Sequence, residues 1–256
     1  MVCYRHPDRE TGVLCQRCER PICPQCQNPS AVGFLCPEDA RVPRSAKVRS
    51  GYAITYGLIG LNILVYLLQL LDVTLIDQIA YTPLVTLEEP WRLVTNAFAH
   101  SQTNYLHIVM NMFSLYVFGK ALEPLLGPGR FFTLYFYSII GGSLGVLFLS
   151  SPNTWVVGAS GAIFGLMGAY FVIMRSLGNR DPQLLGIIAI NLFLGFIVQG
   201  VAWQAHVGGL IVGVLVALIY SRTRASNQRN NQVALLSLLA VVLIGAVYVG
   251  VQLIRF

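Results

Sequence analysis

The chain has 256 residues, 55% of them hydrophobic and 11% charged, and its mean hydropathy is +0.63. Soluble domains carry about 25% charged residues, so this composition excludes an ordinary water-solvated globular protein. The formal net charge of +6 does not point to nucleic acid, because the basic residues fall mainly at the ends of apolar runs, and no nucleic-acid partner is expected.

The first fifty residues are polar and contain all six cysteines. They lack the apolar stretch of a secretory signal, so the first apolar run is expected to act as an uncleaved membrane anchor. The cysteines form a spaced set: Cys3-x2-His6, Cys15-x2-Cys18, Cys23-x2-Cys26 and Cys36-x2-Asp39. Four ligand pairs suffice for two tetrahedral zinc sites. Disulfides are the alternative reading of six cysteines. A cytoplasmic position, argued below from charge, favours zinc, because thiols stay reduced there. A segment of about 40 residues rarely folds without metal or disulfide. Residues 41–50 then form a basic linker suited to anionic lipid.

Apolar runs follow at 52–71, 105–121, 131–149, 156–174, 184–200, 205–220 and 233–254. A bilayer-spanning helix needs roughly 20 apolar residues, so these are seven candidate spans. Arg41, Arg44, Lys47 and Arg49 precede the first, which places the N-terminus in the cytoplasm. Seven alternating spans then put Lys120, Arg130, Arg175, Arg180, Arg222, Arg224 and Arg229 inside, and only Arg92 and Arg255 outside. The C-terminus is therefore expected outside. The connection from Asp72 to Gln102 is an outer loop whose Leu84, Leu87, Trp91 and Leu93 suit an interfacial element.

Ionisable groups within spans are functional candidates. His107 lies early in the second span, Ser160 early in the fourth and His206 early in the sixth. All three spans run from outside to inside, so these positions share one depth near the outer face. His206 could take the proton of Ser160, which a serine nucleophile requires. The chain offers no carboxylate inside a span on that side, so a dyad rather than a triad is expected. Phe164, one turn after Ser160, could stack on His206. His107 and Asn111 are spaced i, i+4 and share a helix face; with the backbone N–H of Ser160 they could bind an oxyanion. Gly161 with Gly165, and Gly209 with Gly213, are small-xxx-small pairs that let membrane helices approach closely.

In order, Trp91-Arg92, His107-x3-Asn111, Gly119-x3-Glu123, Gly158-Ala159-Ser160-Gly161 and His206-x2-Gly209-x3-Gly213 resemble the rhomboid protease family over roughly residues 91–220. The resemblance implies an all-α polytopic membrane protein: a six-helix rhomboid core (51–222) followed by an extra C-terminal transmembrane helix (223–256). It implies Ser160 as nucleophile, His206 as base, His107 and Asn111 as oxyanion residues, and structural positions at Trp91, Arg92 and Glu123. The family often has tyrosine where Phe164 stands. The implied activity is cofactor-free cleavage in or beside the transmembrane helix of single-span substrates in the lipid bilayer. The N-terminal spacing resembles B-box-type zinc fingers (1–40). That likeness implies cross-bracing, with Cys3, His6, Cys23 and Cys26 on one zinc ion and Cys15, Cys18, Cys36 and Asp39 on another. A structural role is expected for this domain, with docking of a cytoplasmic protein partner beside it. The competing readings are a non-catalytic rhomboid-like protein that binds membrane clients and, ranked last, a channel or transporter.

Overall fold

Glu123 answers a need that the first membrane helix cannot meet by itself. That helix, α2 (Ala53–Leu71), has no side-chain cap at its own start, and the first N–H groups of any helix lack intrahelical acceptors. The buried Glu123 carboxylate accepts from Ile54 N at 3.0 Å, Thr55 N at 2.9 Å and Thr55 Oγ1 at 2.6 Å. Its negative charge also suits the positive end of the helix dipole.

In this computed structural model, residues 1–30, 33–40, 51–178, 183–197 and 200–255 are described. The basic linker 41–50 and Arg180, which carry part of the charge argument, lie outside the described residues. Two compact units result: Met1–Gly51 with Tyr220–Leu235, and Tyr52–Ile219 with Leu236–Phe256.

The first unit contains a two-stranded antiparallel hairpin, β1 (Asn28–Ser30) and β2 (Gly33–Leu35), with Asn28 opposite Leu35. One helical turn, α1 (Pro37–Ala40), follows. Its core cluster is Cys3, Cys15, Ile22, Cys23, Cys26 and Cys36. Ile22 is the sole member that is not a candidate metal ligand, so this unit has almost no conventional hydrophobic core.

The second unit is helical. After α2 come the short α3 (Leu75–Ile79) and α4 (Arg92–Thr95), then α5 (Tyr105–Leu126), α6 (Pro128–Leu149), α7 (Ser160–Ser176), α8 (Gln183–Ile197), α9 (Trp203–Arg222) and α10 (Arg229–Arg255). Local chemistry sets several of these boundaries. Asn104 caps α5 by accepting from Leu106 N at 3.1 Å. Gly127 ends α5 at a φ of 81°, where a side chain would be strained, and Pro128 opens α6 at a position that needs no N–H. Among the described residues, four helices are long and apolar enough to cross a membrane on their own: α2, α6, α9 and α10. Helix α7 is apolar but has 17 residues. Helix α5 carries His107, Asn111, Lys120 and Glu123, which dilute its hydropathy. Apolar side chains such as Leu238, Val241 and Ile244 on α10 are exposed, as a lipid-facing surface requires.

The fourth apolar run was expected to begin its span at Val156, yet α7 starts at Ser160. Val156 instead forms an antiparallel bridge with Tyr81, with N–O distances of 3.1 and 2.8 Å. This pairing ties the run to the connection between α2 and α5. Within that connection Arg92 is buried, donating to Glu89 Oε2 at 2.5 Å and Ala80 O at 3.0 Å. Trp91 is exposed.

Replacing Glu123 with Ala leaves the buried donors of Thr55 and the half-buried Ile54 N–H without this acceptor, at about 1–3 kcal/mol for each buried unsatisfied group. We expect a clear fall in the thermal midpoint of the detergent-solubilised chain. An unchanged midpoint would show that the cap carries no stability.

Candidate active site

Ser160 is the first residue of α7 and His206 lies in the first turn of α9. Ser160 Oγ is 3.0 Å from His206 Nε2. The Phe164 ring stacks on His206, with centroids 4.1 Å apart and planes 14° apart. This contact limits rotation of the imidazole. No carboxylate is paired with His206 among the described residues, and its buried Nδ1 has no protein partner.

Glycine makes the short distance attainable. A Cβ on Gly209 would strike the Gly161 carbonyl, and one on Gly213 the Gly165 carbonyl. Helices α7 and α9 therefore meet backbone to backbone directly below the Ser–His pair. A third helix takes part, which the pattern of small residues had not indicated. On α6, Gly141 faces Gly208 O at 2.8 Å from its hypothetical Cβ, and Gly142 faces Gly161 Cα at 3.3 Å.

Gly158, just before Ser160, has a φ of 118°. A Cβ there would lie 2.6 Å from His107 Nε2 and 3.8 Å from Asn111 Nδ2. Glycine thus serves both the backbone turn and the approach of these two side chains. Asn111 Nδ2 donates to His107 O at 2.8 Å, while its Oδ1 is buried without a partner. Ser160, His206, His107 and Asn111 all line one cavity of about 570 Å³, together with Gly158 and Trp155. The N–H groups at the start of α7 have no intrahelical acceptors, so they add donors on the same side.

Sequence reasoning passed over several supporting polar groups. Gln69 of α2 is fully buried, accepting from His100 N at 3.0 Å and donating to His100 O at 3.2 Å. The ring of His100 lies 5.2 Å from that of His107, and Ser101 N donates to His107 Nδ1 at 3.3 Å. Asn96 donates to Ser143 Oγ at 3.1 Å and accepts from Gly158 N at 2.9 Å. A buried Gln within an otherwise apolar span was the available signal for the first of these.

A family model described as the rhomboid domain matches residues 87–223. The chain belongs to the rhomboid family. Similar proteins include YdcA of Bacillus subtilis, 35% identical over 137 residues, a match covering 51% of this chain and 67% of YdcA. RHOMBOID-like protein 6, mitochondrial, of Arabidopsis thaliana is 40% identical over 139 residues, covering 51% of this chain and 44% of that protein. Rhomboid protease GluP of Bacillus subtilis is 33% identical over 176 residues, covering 66% of this chain and 33% of GluP. The match therefore spans less than half the length of the last two relatives. With its apolar helices, this rhomboid is an all-α multi-pass membrane protein.

Residues 1–40 of the rhomboid chain lie outside the family match and bring two further groups together. Cys3, His6, Cys23 and Cys26 present ligand atoms within 4.8 Å of one another, as do Cys15, Cys18, Cys36 and Asp39. All six cysteines are free of disulfides. Zn–S bonds near 2.3 Å and Zn–N bonds near 2.0 Å give tetrahedral edges of roughly 3.5–3.8 Å. The His6 Nδ1 distances to Cys3, Cys23 and Cys26 are 3.7, 3.4 and 3.4 Å, and Cys18 Sγ lies 3.7 Å from Cys36 Sγ. Asp39 Oδ2 is 3.2 Å from Cys15 Sγ and 3.3 Å from Cys36 Sγ. Both groups fit a metal ion.

Gly209→Val should lower the unfolding midpoint by the equivalent of about 1–3 kcal/mol through overpacking. Gly57→Val, at a glycine with nothing within 4 Å, should leave it nearly unchanged. Equal effects of the two would contradict the glycine-mediated contact.

Proposed function

We propose that this rhomboid is an intramembrane serine endopeptidase that cleaves a peptide bond in or next to the transmembrane segment of membrane-protein substrates. The observation that carries the reading is the 3.0 Å separation of Ser160 Oγ and His206 Nε2 in a cavity shared with His107 and Asn111. The similarity to the named protease GluP supports it.

In this reading His206 Nε2 takes the Ser160 proton as Oγ attacks the scissile carbonyl carbon. The carbonyl π electrons move to oxygen. His107 Nε2–H, the Asn111 amide and the Ser160 N–H donate to that oxyanion. Collapse of the adduct expels the new amine, which receives the proton from His206. Water then attacks the acyl-serine by the same proton route and frees Ser160. Phe164 restrains the imidazole in place of a carboxylate. A substrate helix hides its carbonyls in its own hydrogen bonds, so segments with weak helix propensity are the preferred substrates.

The division proposed is 1–40 as a B-box-like zinc-binding domain, 41–50 as a basic linker, 51–222 as the rhomboid core and 223–256 as an extra transmembrane helix. Zinc would occupy the two ligand groups of the first unit, supplying structural cross-links and no catalytic chemistry. The positive-inside count supports a cytoplasmic N-terminus and a site near the outer face.

Cleavage of a single-span reporter in proteoliposomes tests the proteolytic reading. His206→Ala should lose about 10² to 10⁴-fold in rate, Ser160→Ala, which removes the nucleophile, at least as much, and the wild type should release the outer fragment of the reporter. Undiminished cleavage by Ser160→Ala would sink the assignment, and release of the inner fragment would reverse the orientation. For the zinc domain, atomic absorption on the purified chain should find close to two zinc ions per chain. A chain free of metal whose cysteines are paired in disulfides would contradict it.

A further inference from the structure

The two ligand groups differ in charge, and the difference identifies a residue with a task. With a divalent ion bound, three thiolates and a neutral His6 leave the first site with a formal charge of −1. Three thiolates and the Asp39 carboxylate leave the second at −2. Such an excess weakens a metal–thiolate cluster unless nearby donors neutralise it, and outer hydrogen bonds of this kind tune metal affinity.

Arg20 stands where that neutralisation is needed. Its Nε donates to Cys18 Sγ at 3.1 Å and its Nη2 to Cys36 Sγ at 3.6 Å. One guanidinium therefore reaches two sulfurs of the second site through a fork that the point charge of lysine cannot reproduce. The guanidinium is also held in place. It lies over the Tyr4 ring, 4.4 Å from the centroid, and its Nη2 is 3.6 Å from Glu38 Oε2. Glu38 in turn accepts from the Tyr4 hydroxyl. Arg17 adds a further positive group, 3.8 Å from Asp39 Oδ1. Among the described residues no guanidinium reaches the sulfurs of the first site as Arg20 reaches those of the second, and their lower formal charge has less need of one.

We propose that Arg20 is the outer-sphere counter-charge of the second metal site, a positioning residue whose guanidinium donates to the Cys18 and Cys36 sulfurs around the Cys15, Cys18, Cys36, Asp39 ion. This role rests on the zinc reading above. It makes the second site the one whose metal retention depends on a residue that is not a ligand. Arg20 is half-exposed, so its effect is read in metal exchange rather than in folding.

The experiment uses the full chain in detergent. Zinc release to a chromogenic chelator is followed for wild type, Arg20→Ala and Arg20→Lys, with alkylated cysteines mapped by mass spectrometry. Two ions per wild-type chain establish the zinc reading on which this rests. Arg20→Ala should then release one ion about 10 to 100-fold faster, with early alkylation at Cys15, Cys18 and Cys36, while the other ion leaves at the wild-type rate. Arg20→Lys should fall between. Equal acceleration of both ions would reduce Arg20 to a general folding role and overturn the proposal. Unchanged release of both would overturn it as well. A wild-type chain that binds no metal removes the zinc reading, and this role with it.

Discussion

Everything in the membrane unit depends on how closely α7 and α9 approach. Lipid tails supply no hydrophobic drive for helices to associate, so packing and polar contacts must do so. Gly161, Gly165, Gly209 and Gly213 remove the side chains that would hold the two backbones apart, and Gly141 and Gly142 bring α6 against the same seam. Ser160 and His206 sit at the end of that seam. A separation larger by one methyl group would take them beyond hydrogen-bond reach. Stability and site geometry are therefore set by the same residues.

The metal unit obeys a different constraint. It has six cysteines and one buried isoleucine where a larger domain would place a core. Hydrophobic burial alone does not hold such a segment together, and ligand bonds to the proposed ions would supply what is missing. Because the ligand pairs interleave along the chain, each ion would staple loops belonging to both halves. The arginine–tyrosine–glutamate cluster around Arg20 adds polar contacts between those halves, since Tyr4 lies between ligands of one group and Glu38 between ligands of the other.

Much of this was legible in the sequence because the membrane imposes simple rules. Long apolar runs become helices, since backbone polar groups in lipid must be satisfied internally. Alternating direction puts early positions of the second, fourth and sixth runs at one level, and the co-location of His107, Ser160 and His206 in one cavity follows from that. Hydropathy did not reveal where α7 starts. Val156 to Ala159 are apolar enough to extend the helix, but a backbone bridge to Tyr81 and the positive φ of Gly158 take them out of it. The polar scaffold behind the site was also hidden. Gln69 bonds to the backbone of His100, 31 residues away, and Asn96 to Ser143, 47 residues away, and no local spacing announces such partners. The glycines of α6 read as ordinary membrane-helix composition until their neighbours across the seam are known.

In the proposed mechanism His206 makes Ser160 nucleophilic. The most direct measurement is mass-spectrometric mapping of the adduct formed by a fluorophosphonate probe on the intact protein, in wild type and in His206→Ala. A single modified serine, Ser160, is expected, with labelling that collapses when His206 is removed. Modification of a different residue, or equal labelling of Ser160 in both proteins, would contradict it.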